Sequence, residues 1–168
     1  TAYLYHLPLS CIIRIPPTPL QPITIYGSGV LAVCAVQLYK QFGYKCTVIS
    51  DKEERENIML TAGANEFLTV EEAKMLGHKH DYAIFLSSSW RYWYCCMKLS
   101  KPFGNIAVLG FPGRNSEPSE NPLKPEWTYL NQLRIEFCGT VEEHPDSRQR
   151  SKCAESVNMS RIVDMIHR

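Results

Sequence analysis

A glycine-rich turn between a β-prone run and an apolar helical pattern constrains this chain more than any other feature. Residues 23–26 read Ile-Thr-Ile-Tyr and lead into Gly-x-Gly-x-x-Ala at residues 27–32. From Val33 to Phe42 the apolar residues recur at helical spacing. The pattern predicts a strand, a phosphate-binding loop and a helix, in that order.

Each small residue of the turn has a physical role in that prediction. Gly27 permits the tight turn, Gly29 lets the backbone approach a pyrophosphate, and Ala32 lets the helix pack closely on the sheet. Free N–H groups in the first helical turn, together with the helix dipole, form an anion site. The residues expected to hold the phosphates are Gly27, Ser28, Gly29, Val30 and Leu31. The alternative is a glycine-rich turn that binds no ligand.

A second predicted strand, residues 46–49, ends about twenty residues after the glycines, where a dinucleotide's ribose is bound in such folds. An acidic residue there favours NAD, whereas a small hydroxyl with nearby cations favours NADP. Alignment by the apolar strand puts Ser50 at this position, and a slip of one residue puts Asp51 there. Lys52 and Arg55 lie close by in sequence. The choice between NAD and NADP stays open, and the alternative is that these four residues only cap and solvate a helix.

The chain as a whole alternates strands with helices. Further strands are predicted over residues 66–69, 82–86, 106–109 and 134–138. This alternation predicts an α/β fold with a doubly wound parallel sheet of about six strands and helices on both faces. The predicted divisions are an initial helix and linker over residues 1–22, with the helix at 9–15, a dinucleotide-binding domain over 23–140, and a polar loop and C-terminal helix over 141–168.

Ligands of such sheets bind beyond the carboxyl ends of the strands. Five chain segments are predicted to meet there, namely residues 27–31, 50–52, 87–89, 110–112 and 139–140. Ser87 and Ser88 are expected to contact a nicotinamide or a ribose. Gly110, Phe111 and Gly139 complete the predicted coenzyme site.

Composition and charge exclude several classes of function. The chain has 168 residues and a net charge of +1, which gives no field for gripping nucleic acid or an anionic membrane. No apolar run approaches the roughly twenty residues that cross a bilayer, so we expect a cytoplasmic protein. The seven cysteines include no C-x-x-C pair, which argues against a disulfide framework or a zinc knuckle. They are expected to be free thiols, with one of the adjacent Cys95 and Cys96 in the core and the other on a helix surface.

Two further motifs receive structural interpretations. The run His78-Lys79-His80 has no third ligand nearby and is predicted to be a solvent-exposed polar loop rather than a metal site. Ser50 or Asp51, with an acidic residue three positions on, is predicted to form a capping box at the start of the next helix.

The order of these motifs resembles the nucleotide-binding domain of the medium-chain dehydrogenase/reductase superfamily, the zinc-type alcohol, sorbitol and threonine dehydrogenases. The matching pieces are Tyr-Gly-Ser-Gly-Val-Leu-Ala at 26–32, Ala-Gly-Ala-Asn at 62–65, Gly-Asn-Ile-Ala-Val-Leu-Gly at 104–110 and Pro-Leu-Ser-Cys at 8–11. The resemblance covers about residues 7–140. It implies a Rossmann domain that binds NAD or NADP, within an oxidoreductase that moves a hydride between the nicotinamide and an alcohol or carbonyl.

The resemblance also implies a partner domain. In this superfamily the catalytic domain, with its zinc ligands and proton relay, precedes the region matched here, so we expect a piece of a longer protein that is inactive alone and holds no catalytic or zinc-binding residue. Several members have a glutamate that can reach the zinc where this chain has Leu7. Two alternatives stay open: a nucleotide sensor without chemistry, and a methyltransferase-like fold that binds S-adenosylmethionine. A zinc-bearing domain upstream of Thr1 would favour the enzyme.

The last predicted strand, residues 134–138, is expected at a sheet edge, where unpaired backbone groups seek a partner. Dehydrogenases of this kind form dimers by joining such edges across a two-fold axis. We therefore expect a homodimer through this strand.

Overall fold

Six parallel strands form the centre of the protein in a computed structural model that describes residues 2–113, 116–139 and 155–166. The strands are β1 (Ile23–Tyr26), β2 (Cys46–Ile49), β3 (Glu66–Leu68), β4 (His80–Phe85), β5 (Ser100–Val108) and β6 (Arg134–Phe137). They lie in the order β3-β2-β1-β4-β5-β6, and every neighbouring pair is parallel. The predicted doubly wound sheet is therefore confirmed, and the strand order reverses between β1 and β4.

Helices cover both faces of the sheet, as predicted. They are α1 (Ala2–Arg14), α2 (Val30–Gln41), α3 (Glu56–Ala62), α4 (Val70–Met75), α5 (Trp90–Leu99) and α6 (Glu155–Ile166), and a 3₁₀ turn, Glu53–Arg55, precedes α3. The apolar cluster on one face takes residues from α1, α2, α3 and α6. The cluster on the other face takes residues from α4 and α5. Two helical layers thus bury the sheet from both sides.

Burial explains why β1 and β2 match their predicted bounds, whereas β4, predicted over 82–86, spans His80–Phe85. All four residues of β1 are buried, and so are Cys46, Val48 and Ile49 of β2. Fully burying an isoleucine or valine side chain stabilises the fold by about 1.5–3 kcal/mol. Because successive side chains of a strand point to opposite faces, all of them are buried only in a sheet that is covered on both faces. β6 lies at the edge of the sheet, as its position in the sequence predicted.

The first helix is longer than its pattern predicted. It begins at Ala2 rather than Leu9 and continues through Pro8, a residue that removes one helical hydrogen bond. Tertiary contacts hold it: the Tyr39 hydroxyl donates to the Pro8 carbonyl at 2.9 Å, and Asn158 Nδ2 of α6 donates to Ser10 Oγ at 2.9 Å. Packing against α2 and α6 therefore outweighs the local cost of the proline.

The predicted capping box at Ser50 or Asp51 is wrong. The 3₁₀ turn before α3 begins after Lys52 without any side-chain cap. The capping box lies at α4 instead, where Thr69 Oγ1 accepts from the Glu72 N–H at 3.2 Å and Glu72 Oε2 accepts from the Thr69 N–H at 2.7 Å. Both segments have a capping residue followed three positions on by a glutamate, so the sequence pattern alone does not distinguish them. Ser50 and Asp51 form hydrogen bonds elsewhere in the fold instead of capping the helix.

Two other segments differ from the predictions. The run Lys-Pro-Phe-Gly at 101–104 predicts a turn, but in the structure it is an irregularity inside β5, where the register with β4 shifts and Phe103 takes a φ of 63°. The polar composition of residues 141–157 predicts a loop, but α6 already begins at Glu155. The rest of that loop prediction, residues 141–154, lies outside the described residues.

Six of the seven cysteines lie in the described residues, and all six are free and buried. The free-thiol prediction holds for these six. The expectation that Cys95 or Cys96 faces the surface is wrong, because both are at most 2% exposed. Across the described ranges, no helix is long and apolar enough to cross a membrane.

Candidate functional site

The turn between β1 and α2 has the backbone geometry of a phosphate loop. Gly27 takes a φ of 115°, a value that favours glycine, and its N–H donates to the Ile49 carbonyl at 3.0 Å. Gly29 is extended and forms the N-cap of α2 without a side-chain cap. Its carbonyl accepts from the N–H groups of Ala32 and Val33 at 3.0 and 3.2 Å, so the helix starts directly at the turn.

Backbone donors at this turn remain available to a ligand. Within the described residues, the N–H groups of Ser28, Val30 and Leu31 donate to no protein acceptor. A Cβ added to Gly29 would meet no atom within 4 Å, so open space lies directly above the turn. Free donors that face open space at a helix N-terminus match what a diphosphate requires. A bound dinucleotide therefore fits these residues.

A buried hydrogen bond joins the phosphate loop to the end of β2. Ser28 Oγ and Ser50 Oγ lie 2.8 Å apart, and both side chains are at most 5% exposed. Ser50 Oγ also accepts from the Lys52 N–H at 3.3 Å. Ser50 thus follows β2 directly and lies beside the phosphate loop.

Asp51 is engaged by the protein itself. Its Oδ1 accepts from the Val70 N–H at 3.0 Å at the start of α4, and its Oδ2 pairs with Arg91 Nε at 3.2 Å. Its backbone N–H donates to the Tyr92 hydroxyl at 2.6 Å. Three contacts therefore hold Asp51 against α4 and α5.

Lys52 and Arg55 carry the positive charge next to Ser50. Both side chains are exposed, and neither forms an ion pair within the part of the chain that the structure describes. Glu53 and Glu54 lie on the same short turn as Arg55, so the local surplus of positive charge is small.

A pocket of about 610 Å³ opens at the carboxyl ends of β4, β5 and β6, beside the start of α2. Five of the predicted site residues line it: Leu31, Ser88, Gly110, Phe111 and Gly139. The other lining residues are Leu86, Val108, Leu109 and Phe137. None of these side chains is acidic or basic. The pocket can hold a flat, largely apolar ring, and it offers no side chain that would transfer a proton.

Some predicted site residues have structural roles next to this pocket. Ser87 Oγ accepts from the Ser89 N–H at 3.1 Å just before α5. Gly110 lies against the backbone of β4, since an added Cβ would come within 2.5 Å of the Leu86 carbonyl carbon. Val30 is 63% exposed and stands outside the pocket lining.

Sequence reasoning missed the residues that hold Asp51 and the apolar wall of the pocket. The aromatic residues at 90–94 indicate a helix that packs on the core and the surface, and that interpretation gives no role to Arg91 or to the Tyr92 hydroxyl. Leu86 and Phe137 could have been found, because each lies at the carboxyl end of a predicted strand, where ligands of such sheets bind.

The two histidines near β4 are not exposed, contrary to the prediction. His80 is 4% exposed and its Nε2 lies 2.9 Å from the Tyr26 hydroxyl. His78 Nε2 lies 3.0 Å from Thr24 Oγ1. Burial, with a smaller contribution from the neighbouring His78, lowers the pKa of His80 to about 3. Among the described residues, no group of three His, Cys, Asp or Glu side chains is arranged to hold a metal ion.

Comparison with known proteins identifies the fold. No family model and no curated protein matches the sequence. Among solved structures, a short chain alcohol dehydrogenase from Escherichia coli CFT073 in complex with NADH matches with a TM-score of 0.74 and 18% identity, over 98% of this chain and 47% of that one. A thermostable alcohol dehydrogenase from Pyrobaculum aerophilum matches with a TM-score of 0.72 and 18% identity, over 95% and 43%.

A third match has a different coenzyme. It is a protein assigned as a zinc-binding dehydrogenase, from Sinorhizobium meliloti 1021 and bound to NADP, with a TM-score of 0.67 and 14% identity over 80% of this chain and 42% of that one. This chain has a Rossmann fold, which it shares with the dehydrogenases it matches. It spans a little less than half of the length of the dehydrogenases it matches. The match is therefore to one part of each of those proteins and not to their whole length.

Proposed function

We propose that this chain is the NAD(P)-binding domain of a zinc-type, alcohol dehydrogenase-like oxidoreductase. The observation that carries the proposal is the set of free N–H groups from Ser28 to Leu31, which faces open space above Gly29 at the end of β1. A coenzyme diphosphate would accept hydrogen bonds from these donors. The adjoining pocket, between Leu31 and Gly139, would receive the nicotinamide ring.

The geometry at the end of β2 favours NADP as the coenzyme. The Asp51 carboxylate is held by the Val70 N–H and by Arg91, so it is not free to bond both ribose hydroxyls. Ser50, with Lys52 and Arg55 nearby, is suited to a 2′-phosphate. Because Glu53 and Glu54 offset part of that charge, the expected preference is modest, about tenfold, which corresponds to about 1.4 kcal/mol.

Titration of the purified chain with NADPH and with NADH tests this proposal. Quenching of tryptophan fluorescence, checked by calorimetry, would give both dissociation constants. The proposal predicts saturable binding of both coenzymes and about tenfold tighter binding of NADPH. Absence of binding for both coenzymes at millimolar concentration would refute coenzyme binding, and tighter binding of NADH would refute only the preference.

Hydride transfer requires a second domain in this proposal. The pocket lining contains no acid or base, and in the superfamily that this sequence resembles, the zinc and the proton relay come from a separate catalytic domain. The bound coenzyme would supply the hydride, while this chain's residues position the coenzyme and shield one side of it from water. The chain alone should therefore not oxidise NADPH when ketones or aldehydes are supplied. Turnover by the chain alone would refute the need for the missing domain.

One observation favours a second candidate function, a nucleotide sensor without chemistry. The same absence of ionisable groups from the pocket lining suits a module that binds a coenzyme and passes a conformational change to a partner. Coenzyme titration does not distinguish the two functions, because both bind the coenzyme. An activity assay of the full-length protein does: reduction of a carbonyl substrate by NADPH would show an enzyme, and binding without reduction would favour the sensor.

The edge strand β6 supports a proposal for assembly. Its outer side has no strand partner within the described residues, and Phe137 on it is 56% exposed. Pairing of two β6 strands across a two-fold axis would satisfy the free backbone groups. The chain of 19.2 kDa should therefore sediment as a dimer at high concentration, and a monomer at 100 μM would contradict the proposal.

We also propose a cytoplasmic location. The six described cysteines are free thiols, which suits a reducing compartment. Fractionation of cells that express the full-length protein tests this, and recovery outside the cytoplasmic fraction would refute it.

A further inference from the structure

Two cysteines far apart in sequence meet in the core. Cys11 lies in α1 and Cys138 directly follows β6, and both are completely buried in the same apolar cluster. Each thiol shifts the pKa of the other through a hydrogen bond between the two side chains, and Cys138 Sγ donates to the Glu136 carbonyl at 3.6 Å. The Cys138 N–H donates to the Val108 carbonyl at 2.7 Å, which extends the ladder between β5 and β6 by one residue.

The elements that carry the two thiols are fastened at a second point. Arg14 Nη2 of α1 lies 2.7 Å from Glu136 Oε1 of β6. Cys11 precedes Arg14 by three positions on the helix, and Cys138 follows Glu136 by two positions along the strand, so each cysteine shares a face with one partner of the ion pair. The ion pair therefore holds together the face of α1 that carries Cys11 and the face of β6 that carries Cys138.

The two thiols differ in acidity. The hydrogen bond from Cys11 lowers the pKa of Cys138 against the opposing effect of burial, and the charge of Arg14 adds a smaller lowering. The same hydrogen bond and burial raise the pKa of Cys11. The other described thiol with a large shift in this cluster, Cys46, has its pKa raised to about 12 by burial. A thiolate is the species that reacts with an oxidant, and the directions of the two shifts make Cys138 the thiol that forms a thiolate more readily.

We propose that Cys11 and Cys138 form a redox-responsive pair that a hydroperoxide converts to a disulfide. In the first step, the Cys138 thiolate attacks the peroxide, the O–O bond breaks, and a sulfenic acid forms with release of one water after proton transfer. In the second step, Cys11 loses its proton and attacks the Cys138 sulfur, and a second water leaves. Two thiols and one hydrogen peroxide thus give one disulfide and two waters.

The location of the pair gives the bond a structural consequence. β6 is the edge strand, and edge elements open locally at a lower free-energy cost than the centre of a sheet, which admits a small neutral oxidant. The disulfide would join α1 to the end of β6 next to Gly139, which lines the large pocket. It would close a loop of more than a hundred residues, a length for which cross-linking restricts the unfolded chain strongly.

A peptide map of the unsubstituted protein tests the proposal directly. The protein is exposed to millimolar hydrogen peroxide, remaining thiols are alkylated, and the sample is digested with trypsin without reduction. Cleavage after Arg14, Arg134 and Arg148 leaves Cys11 in residues 1–14 and Cys138 in residues 135–148. The expected product is these two peptides joined, lighter by two hydrogen atoms than their sum. The Tm should rise by about 5 °C or more and return after treatment with dithiothreitol.

Matched variants separate this bond from general oxidation. Cys138→Ala should abolish both the joined peptide and the Tm increase, whereas Cys46→Ala, which removes another buried thiol of the same cluster, should keep both. The proposal is overturned if both thiols stay reduced under peroxide, if they appear only as sulfinic or sulfonic acids, or if they pair with other cysteines. The peptide map of the unsubstituted chain gives this answer whether or not Cys138→Ala folds.

Discussion

Ser28 Oγ and Ser50 Oγ form a hydrogen bond of 2.8 Å that joins the phosphate loop to the end of β2. In the proposed complex, the first residue lies beside the coenzyme diphosphate and the second beside the ribose. Because both hydroxyls are buried, the contact fixes the two parts of the site relative to each other before a ligand arrives.

This contact predicts a measurable coupling between the two serines. Ser28→Ala leaves the Ser50 hydroxyl buried without its closest partner and should lower the free energy of unfolding by about 1–2 kcal/mol. The double variant should lose less than the sum of the single variants, by about 1 kcal/mol, in urea unfolding. Strict additivity would show that the hydrogen bond contributes nothing.

A second prediction concerns coenzyme choice. Asp51→Asn keeps an oxygen for the Val70 N–H and removes only the charge that faces Arg91, so stability should fall by about 0.5 kcal/mol. The dissociation constants of NADH and NADPH should change by less than about twofold. Lys52→Ala should instead weaken NADPH about threefold to fivefold and leave NADH unchanged. Loss of NADH binding in Asp51→Asn would contradict this account, because it would show that Asp51 binds the ribose hydroxyls.

Gly110 is predicted to be required by the fold. A Cβ at this position would lie 2.5 Å from the Leu86 carbonyl carbon, which is backbone and cannot rotate away. Gly110→Ala should therefore destabilise the protein by about 1–3 kcal/mol. Unfolding in urea measures this change, and a loss below about 0.5 kcal/mol would contradict the close packing of β4 and β5.

His80 predicts a specific dependence of stability on pH. In the folded protein its pKa is lowered to about 3, whereas an unfolded histidine titrates near 6.5. Above about pH 6.5 the imidazole is neutral in both states, so this histidine does not change the stability. Between about pH 6.5 and 3 only the unfolded chain binds the proton, which favours unfolding. Stability then falls by up to about 1.4 kcal/mol per pH unit as the pH decreases toward 3. His80→Gln should remove this component in urea titrations at pH 7, 6 and 5, and equal slopes for both proteins would contradict it.

Much of the fold follows from the sequence because burial and local geometry agree there. The strands β1 and β2 consist of β-branched and apolar residues flanked by turns, so their predicted bounds are the observed ones. The start of α1 could not be predicted, because Pro8 is unfavourable locally and only contacts with α2 and α6 compensate. The positions of the partly buried His78 and the buried His80 likewise depend on Thr24 and Tyr26, some fifty residues away.

The candidate site was predicted in outline only. The convergence of strand ends follows from the topology of a parallel sheet, and five predicted residues do line one pocket. The choice between Ser50 and Asp51 could not be made from spacing, since a shift of one residue exchanges them. The proposal for Ser50 rests on the Val70 N–H and on Arg91, which reach Asp51 from two other elements.

The central claim is that backbone donors around Gly29 hold the diphosphate of a nicotinamide coenzyme. Gly29→Ala tests it most directly, because the added methyl group meets no protein atom and enters only the space meant for the ligand. Gln41→Ala, an exposed position near the end of the same helix, is the control. In NADPH titrations, Gly29→Ala should keep the wild-type Tm and weaken binding at least tenfold, while Gln41→Ala binds normally. Unchanged NADPH affinity in a folded Gly29→Ala protein would contradict the claim.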